Sequence, residues 1–331
     1  MTAWAKRKVL VTGAGGFIGS HLVETLALRG ARVRALVRYN SRNHWGNLES
    51  LSPEVLAEVE VAPGDLVDPA CVQQAVQGCE VVFHLGALIA IPYSYVAPRQ
   101  YVATNVFGTI NILEACRSGD VEKLVHTSTS EVYGTALYTP IDEDHPLQAQ
   151  SPYSGSKISA DKMAESYFRT YGIPVAIIRP FNTYGPRQSA RAVIPTVVIQ
   201  AIETQQVRLG NLKPVRDLTY VTDTVEGFLA VAESPETKGE VTNIGYGKGV
   251  SVLNLASLIL EILGKEGLEI ISEGERVRPA KSEVFELVCN NQKAKSLLGW
   301  EPMHDLRQGL AKTIEWVQQN LARMKSHLYN I

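Results

Sequence analysis

The chain has 331 residues, 45% of them hydrophobic, enough for one large or two closely joined domains with a real core. Lys plus Arg number 32 against 34 acidic residues, a balance that argues against a general nucleic-acid or anionic-membrane binder while leaving room for a local basic pocket. No stretch approaches the ~20 consecutive apolar residues of a membrane span. The opening "MTAWAKRKVLVTG" runs straight into a strand pattern, which leaves no room for a signal peptide and sets the expectation of a cytoplasmic protein. Cys71, Cys79, Cys116 and Cys289 are scattered and form no CxxC pair, so reduced thiols and no metal site are expected.

In chain order, strands are expected at "KVLVTG", "ARVRALV", "EVEVAPGD", "CEVVFHLGA", "EKLVHTSTS" and "IPVAIIRPF". Helical patterns lie between them, for example at 16–29, 69–77, 98–117 and 152–171. Strands that are apolar almost throughout, separated by helices, imply an α/β fold whose doubly wound parallel sheet is covered on both faces. Ligands of such sheets bind beyond the carboxyl ends of the strands.

After about residue 180 the rhythm changes. A long polar segment, "NTYGPRQSARAVIP", leads into a helix near 192–205. "VRLG" reads as a short strand, "RDLTYV" follows it, and "EVTNIG" as a return to the main sheet. Helices at 251–262, 290–297 and 305–325 and the strand "LEIIS" complete a smaller mixed α/β lobe. The expected division is a dinucleotide-binding domain at 1–180 plus about 216–245, and a substrate-binding lobe at 181–215 and 246–331. No flexible linker separates them, so one shared cleft is expected.

"VLVTGAGGFIGSHLVETLALRG" spaces Gly13, Gly16 and Gly19 as GxxGxxG between the first strand and the first helix. Gly13 allows the tight turn, Gly16 a close backbone approach to a pyrophosphate, and Gly19 tight helix–strand packing. The helix N-terminus at Phe17 and Ile18 adds amide donors and partial positive charge. This Rossmann-type signal gains its force from position, after a β-branched strand and before an amphipathic helix. The second strand ends in Arg38 instead of the usual acid, with Ser41 and Arg42 close behind; an arginine there suits a 2′-phosphate and favours NADP over NAD. Asp65 and Leu66 follow the third strand towards the adenine. Leu85 and Ala87, in "FHLGA", lie along the cofactor path, and His84 just before them reads as a core histidine.

In "TSTSEVYG", Thr129, Ser130 and Glu131 set two hydroxyls beside a carboxylate where a buried strand stops. Such a carboxylate is costly to desolvate unless something uses it. About twenty residues on, "SPYSGSKISADKMAESYF" places Tyr153 and Lys157 on one helical face. A cationic neighbour favours the phenolate, so Tyr153 is expected to have a lowered pKa and to act as a base.

"TGAGGFIG", "HLGA", "TSTSEVYG", "YSGSK", "RPFNTYGPR" and "RDLTYVTDT", in this order, resemble the extended short-chain dehydrogenase/reductase superfamily over nearly the whole chain. The resemblance implies that Tyr153 takes a sugar-hydroxyl proton as C4 gives hydride to the nicotinamide. It also implies that Lys157 binds the nicotinamide ribose and Thr129 the substrate 4-hydroxyl. Nucleotide-sugar 4,6-dehydratases carry Glu at position 131, as the base that removes the C5 proton once C4 is a ketone; 4-epimerases do not require it. Where the dTDP-glucose branch has an Asp acid, this chain has Ser130. Thr-Ser-Glu instead resembles GDP-mannose 4,6-dehydratases and, equally, UDP-glucuronate decarboxylases. The longer runs around it are most similar to the N-acetylglucosamine-nucleotide 4,6-dehydratases of legionaminic-acid pathways. A non-catalytic dinucleotide-binding regulator is the reading from another class, disfavoured because both Tyr153 and Lys157 are present.

By the same resemblance Asn182 and Arg187 contact the sugar-phosphate end, and Arg216 and Arg278 the pyrophosphate, to which arginine's fork geometry is suited. Arg191, Ala192 and Val193 are expected to line the nucleotide pocket, and Asn105 to shape the active-site helix as part of the substrate site. The helices at 98–117 and 152–171 have apolar faces broader than one sheet needs, and the family pairs them across a homodimer. The partners expected are therefore a nucleotide sugar and a second copy of the chain.

Overall fold

The structure is a computed structural model and describes residues 2–274, 279 and 281–324. Its centre is a seven-stranded parallel sheet built from β1 (Lys8–Thr12), β2 (Arg32–Arg38), β3 (Val59–Gly64), β4 (Val81–His84), β5 (Lys123–Thr127), β6 (Val175–Pro180) and, much later, Val241–Ile244. Between these come β7 (Asn182–Tyr184), β8 (Gln206–Leu209) and β9 (Val215–Tyr220), which makes Val241–Ile244 β10; β11 (Gly249–Ser251), β12 (Glu269–Ser272) and β13 (Glu286–Leu287) follow. The sheet order is β10-β6-β5-β4-β1-β2-β3, so the chain reverses direction between β1 and β4. That reversal opens a crevice at the carboxyl ends of the strands.

Both faces of the sheet are covered, which is why β1, β4, β5 and β6 are buried along nearly their whole length, while β2 and the edge strand β3 carry Arg32, Arg34 and Glu60. On β1, Val9 and Val11 pack with Leu22, Leu26 and Phe228, from the helices Phe17–Leu28 and Val221–Glu233. Leu10 points the other way, into a second cluster with Val72, Ile112 and Ala164 of the helices Pro69–Val76, Gly108–Arg117 and Pro152–Tyr171. Each of the β1 residues Val9, Leu10 and Val11 is fully buried, worth roughly 1.5–3 kcal/mol apiece.

The smaller lobe has its own core. β7, β9, β11 and β13 form a second sheet and β8 pairs with β12. Ile194, Val198, Leu255, Ile259, Leu310 and Ile314 close against them from the helices Val193–Glu203, Val252–Ile262 and Leu306–Asn320. The return to the large sheet comes later than the expected 216: β9 pairs within the smaller sheet, and only the helix Val221–Glu233, which periodicity did not single out, leads back to β10. Among the described residues no helix is long and apolar enough to cross a membrane.

The expected helix 98–117 is broken. Pro98–Tyr101 runs into a π-helical turn, Val102–Phe107, before Gly108–Arg117 continues. Asn105 sits inside this turn and bonds both backbone groups of Leu88, accepting from its N at 2.8 Å and donating to its O at 3.0 Å. Such widened turns are frequent at functional sites. The helix Pro152–Tyr171, by contrast, is capped at both ends: Ser151 and Ser154 form a reciprocal capping box, and Gly172 ends it with a left-handed φ of 70°.

Candidate active site

A single cleft of about 1110 Å³ runs from the glycine turn to the smaller lobe. That is at the upper end of the roughly 300–1,000 Å³ of an ordinary small-molecule pocket, and its lining runs on from the glycine turn into the smaller lobe.

The cofactor end is shaped by backbone. Gly13 has φ 66°, and a Cβ there would lie 2.8 Å from Gly86 N; a Cβ at Gly19 would lie 2.3 Å from Gly13 O. Gly16 caps the helix Phe17–Leu28 without any side-chain cap, so its first-turn amides are left for a ligand. Gly13, Gly16, Phe17, Ile18, Gly19, Arg38, Asp65, Leu66, Leu85 and Ala87 all line the cleft. A glycine cradle with uncapped amides at the switch point fits a dinucleotide.

Ser41 and Arg42 lie outside the lining, since Asn40 accepts from Arg42 N and turns the loop. Asn40, His44, Trp45 and Gly46 line the cleft instead, because the loop folds back onto the glycine turn: Asn47 N donates to Gly15 O at 2.9 Å. No motif signalled this return. His84 is a core histidine, bonded through Nδ1 to Thr12 Oγ1 (2.8 Å) and through Nε2 to Thr109 Oγ1 (3.1 Å), and burial keeps it neutral.

At the catalytic end, Thr129, Ser130, Glu131 and Tyr153 line one stretch of the cleft. Thr129 Oγ1 accepts from Glu131 N at 3.2 Å and hydrogen-bonds the Tyr153 side chain. The Glu131 carboxylate is near enough for its charge to oppose a Tyr153 phenolate. Among the described residues no group hydrogen-bonds or pairs with that carboxylate, and it is the Thr129 hydroxyl that caps the turn Ser130–Tyr133. Glu131 is thus not a structural cap.

The expected lowering of Tyr153 is not found in the chain alone. Burial pushes its phenol well up, the Thr129 hydrogen bond opposes this, and Glu131 reinforces it. Lys157 turns its ammonium to Thr127 O at 2.6 Å, and burial pulls its pKa down to about 8 against the opposing pull of Asp161. The physical reason is desolvation, which outweighs one neighbouring cation. Tyr101 stands edge-on to Tyr153, ring centroids 6.2 Å apart.

Of the expected substrate contacts, Asn182, Arg191, Val193 and Arg216 line the cleft. Asn182 Oδ1 is buried without a partner among the described residues, and Arg216 lies 3.6 Å from Glu283. Two do not reach it. Arg187 pairs with Glu24 at 2.7 Å and stands only 9% exposed beside His21, which donates to Pro186 O; it joins the lobes. Asn105 is buried and holds Leu88 and Ser156 in place, the latter at 2.9 Å, so it shapes the site from behind. Arg278 lies outside the described residues. Sequence reasoning missed the apolar wall Leu88–Pro92, Gln188 to Ala190, and Glu283. These come from loops and from the start of the short helix Ile91–Val96, none with a periodic signal.

A family model described as GDP-mannose 4,6 dehydratase matches residues 10–313 of the chain. A putative UDP-glucose 4-epimerase of Methanocaldococcus jannaschii is 34% identical over 94% of this chain and 99% of its own. The dTDP-D-glucose 4,6-dehydratase of Mus musculus is 31% identical over 98% and 92%. Among solved structures, a dTDP-glucose 4,6-dehydratase from Streptomyces venezuelae with NAD and TYD bound superposes with a TM-score of 0.84 at 30% identity, covering 96% of this chain and 99% of that one.

Proposed function

The chain belongs to the GDP-mannose 4,6-dehydratase family of extended short-chain dehydrogenase/reductases, a group of nucleotide-sugar dehydratases and epimerases, and from that premise we propose that it is a 4,6-dehydratase. The substrate is a GDP- or UDP-linked N-acetylglucosamine and the product its 4-keto-6-deoxy derivative, the reading supported by the segments around "TSTSEVYG" and "PFNTYGPRQSARAVIPTVV" that resemble legionaminic-pathway enzymes. One observation carries the dehydratase assignment: Glu131 holds a carboxylate in the cleft, beside Tyr153, that has no partner among the described residues.

A bound nicotinamide dinucleotide would supply the hydride acceptor for C4 and the hydride returned to C6, together with a positive charge in the cleft. The chain does the rest. Tyr153 accepts the proton of the C4 hydroxyl, held to that oxygen with Thr129. Glu131 removes the C5 proton, acidified by the new carbonyl, and protonates the hydroxyl leaving C6; when C6 is reduced, C5 takes a proton back, which balances the one Tyr153 accepted from the C4 hydroxyl. Ser130 hydrogen-bonds at the position where a second acid stands in the dTDP-glucose branch. Water is the only species lost, and no external reductant is consumed. Arg191 and Arg216 hold the diphosphate and nucleotide.

Arg38, exposed at the rim and without an ion-pair partner among the described residues, favours a 2′-phosphate and hence NADP. The cofactor released on denaturing the purified protein, read by mass, decides between NADP and the NAD seen in the Streptomyces venezuelae enzyme. Val96, Val102 and Phe107, exposed by 71%, 44% and 56%, suit a second copy packed along these helices; light scattering in solution should report a dimer.

The deciding experiment offers GDP-, UDP- and dTDP-sugars to the protein and reads products by mass. Loss of one water from an N-acetylglucosamine nucleotide, without added NADPH, is expected. If no such sugar yields a 4-keto-6-deoxy product, the reading falls. An isomer of unchanged mass would instead identify a 4-epimerase, and carbon dioxide from UDP-glucuronate a decarboxylase.

A further inference from the structure

Beneath the catalytic side chains lies a buried ionic cluster that the reaction above does not use. Asp161 stands one helical turn beyond Lys157 and is 2% exposed. Its Oδ1 lies 3.1 Å from His126 Nε2 on β5. Its Oδ2 accepts from Ser128 Oγ at 2.6 Å and from an Arg179 guanidinium nitrogen of β6 at 3.1 Å. Arg179 donates onward to Tyr133 OH (3.0 Å), and Tyr133 to Asn243 Oδ1 on β10 (2.7 Å). One carboxylate therefore joins the helix bearing Tyr153 and Lys157 to the strand end bearing Thr129 and Glu131.

An apolar side chain would hold helix to sheet with less desolvation cost than this ion cluster. Something other than packing is being served. The two residues flanking Ser128 show what: Thr127 carries the carbonyl that receives the Lys157 ammonium, and Thr129 carries the hydroxyl at Tyr153. Fixing Ser128 fixes both. The charges facing Asp161 are Lys157 from its own helix and Arg179 from β6, with His126 on β5 and His84 on β4 kept uncharged by burial, and the phenols of Tyr153 and Tyr133 nearby. Asp161 is the anion bonded directly to His126, Ser128 and Arg179, and through space, one helical turn away, it favours the charged form of Lys157 against burial.

We propose that Asp161 is a positioning residue with two separable tasks: through Ser128 it sets the spacing between Tyr153–Lys157 and Thr129–Glu131, and by its charge it keeps Lys157 an ammonium beneath the active site. The proposal rests on the oxidation step of the proposed function, in which Tyr153 acts and for which the resemblance makes Lys157 a nicotinamide-ribose contact, but its first test needs no substrate.

Lys157 is titrated by NMR on protein labelled with nitrogen-isotope lysine, its signal assigned by loss in Lys157→Arg. In Asp161→Asn, which keeps the shape and removes the charge, Lys157 should lose its proton at least about one pH unit lower, a tenfold weaker hold on the proton. The alkaline limb of kcat should move with it. Asp161→Glu keeps the charge on a longer arm: kcat should fall at least tenfold with the Lys157 titration unmoved. Ser128→Ala should reproduce that second pattern. An unmoved Lys157 titration in folded Asp161→Asn overturns the charge task. Should that variant fail to fold, parent-like kcat in both Asp161→Glu and Ser128→Ala overturns the spacing task. A shifted titration in a protein that turns over no nucleotide sugar would instead sink the proposed function and leave the charge task standing.

Discussion

The two ends of the cleft are built on different terms. At the cofactor end the shape is set by the absence of side chains: Gly13, Gly16 and Gly19 let backbone approach backbone, and the ligand is met by amides and a helix terminus. At the sugar end the shape is set by side chains drawn from distant stretches, namely the wall Leu88–Pro92, Asn182, Arg191, Arg216 and Glu283. A backbone-built site accepts little variation, whereas a side-chain-built site can be retuned one residue at a time.

The sharpest test of this contrast lies between the two ends. Tyr153→Phe should lower turnover about a thousandfold while cofactor content of the purified protein stays unchanged. Glu131→Gln should abolish dehydration to a similar degree, and an enzyme that retained full activity would be an epimerase. Next in size, Gly19→Val drives a Cβ into the Gly13 carbonyl, 2.3 Å away in the present backbone, so the protein should purify with under a tenth of the parent's bound dinucleotide. The corresponding steric insult at the sugar end, Ala90→Val, should leave cofactor content intact and alter only KM for the sugar nucleotide.

Smaller effects sharpen the comparison. Arg187→Ala removes a part-buried pair with Glu24 and should lower the unfolding free energy by about 1.5–3 kcal/mol in urea, with KM unchanged, because the guanidinium faces helix Phe17–Leu28 and not the cleft. The smallest effect appears only in acid. Burial raises Asp161, but His126, Arg179 and Lys157 together outweigh it and hold the carboxyl at about 2, below its ordinary 3.8. Its contribution to stability is complete above the ordinary value and is lost as pH falls through about 4 towards 2. Acid melts of the parent should show this loss, and Asp161→Asn should flatten it.

What could be read from the sequence follows the same division. The glycine turn was legible because only glycine meets its geometric demands, and Tyr153 with Lys157 because helical spacing puts them on one face. Glu131 was legible from chemistry, as a carboxylate that a buried strand end would otherwise reject. The direction of the Tyr153 shift was not legible, since spacing reports neighbours but not desolvation. Arg187 and Asn105 were assigned to the substrate by their place within motifs, yet each motif also contains residues that merely hold the others. The π-turn at Val102–Phe107 left no trace in the apolar pattern because it alters hydrogen bonding within a stretch that still reads as helix. Trp45 reaches the cleft because its loop folds back onto the glycine turn, a return that no local pattern encodes, and Glu283 lines the cleft without a motif of its own.

Asn47 gives this arrangement a kinetic side. Its backbone amide is stitched to Gly15 and its side chain to Arg187 O, at 2.9 and 3.1 Å, so one residue bastes the rim of the glycine turn to the neck of the other lobe. On the proposed function, a dinucleotide seated on that turn would have to open this link to leave. A catalyst that hands its borrowed hydride back within every cycle never needs to do so, and it can keep its redox partner as a lodger while sugars come and go.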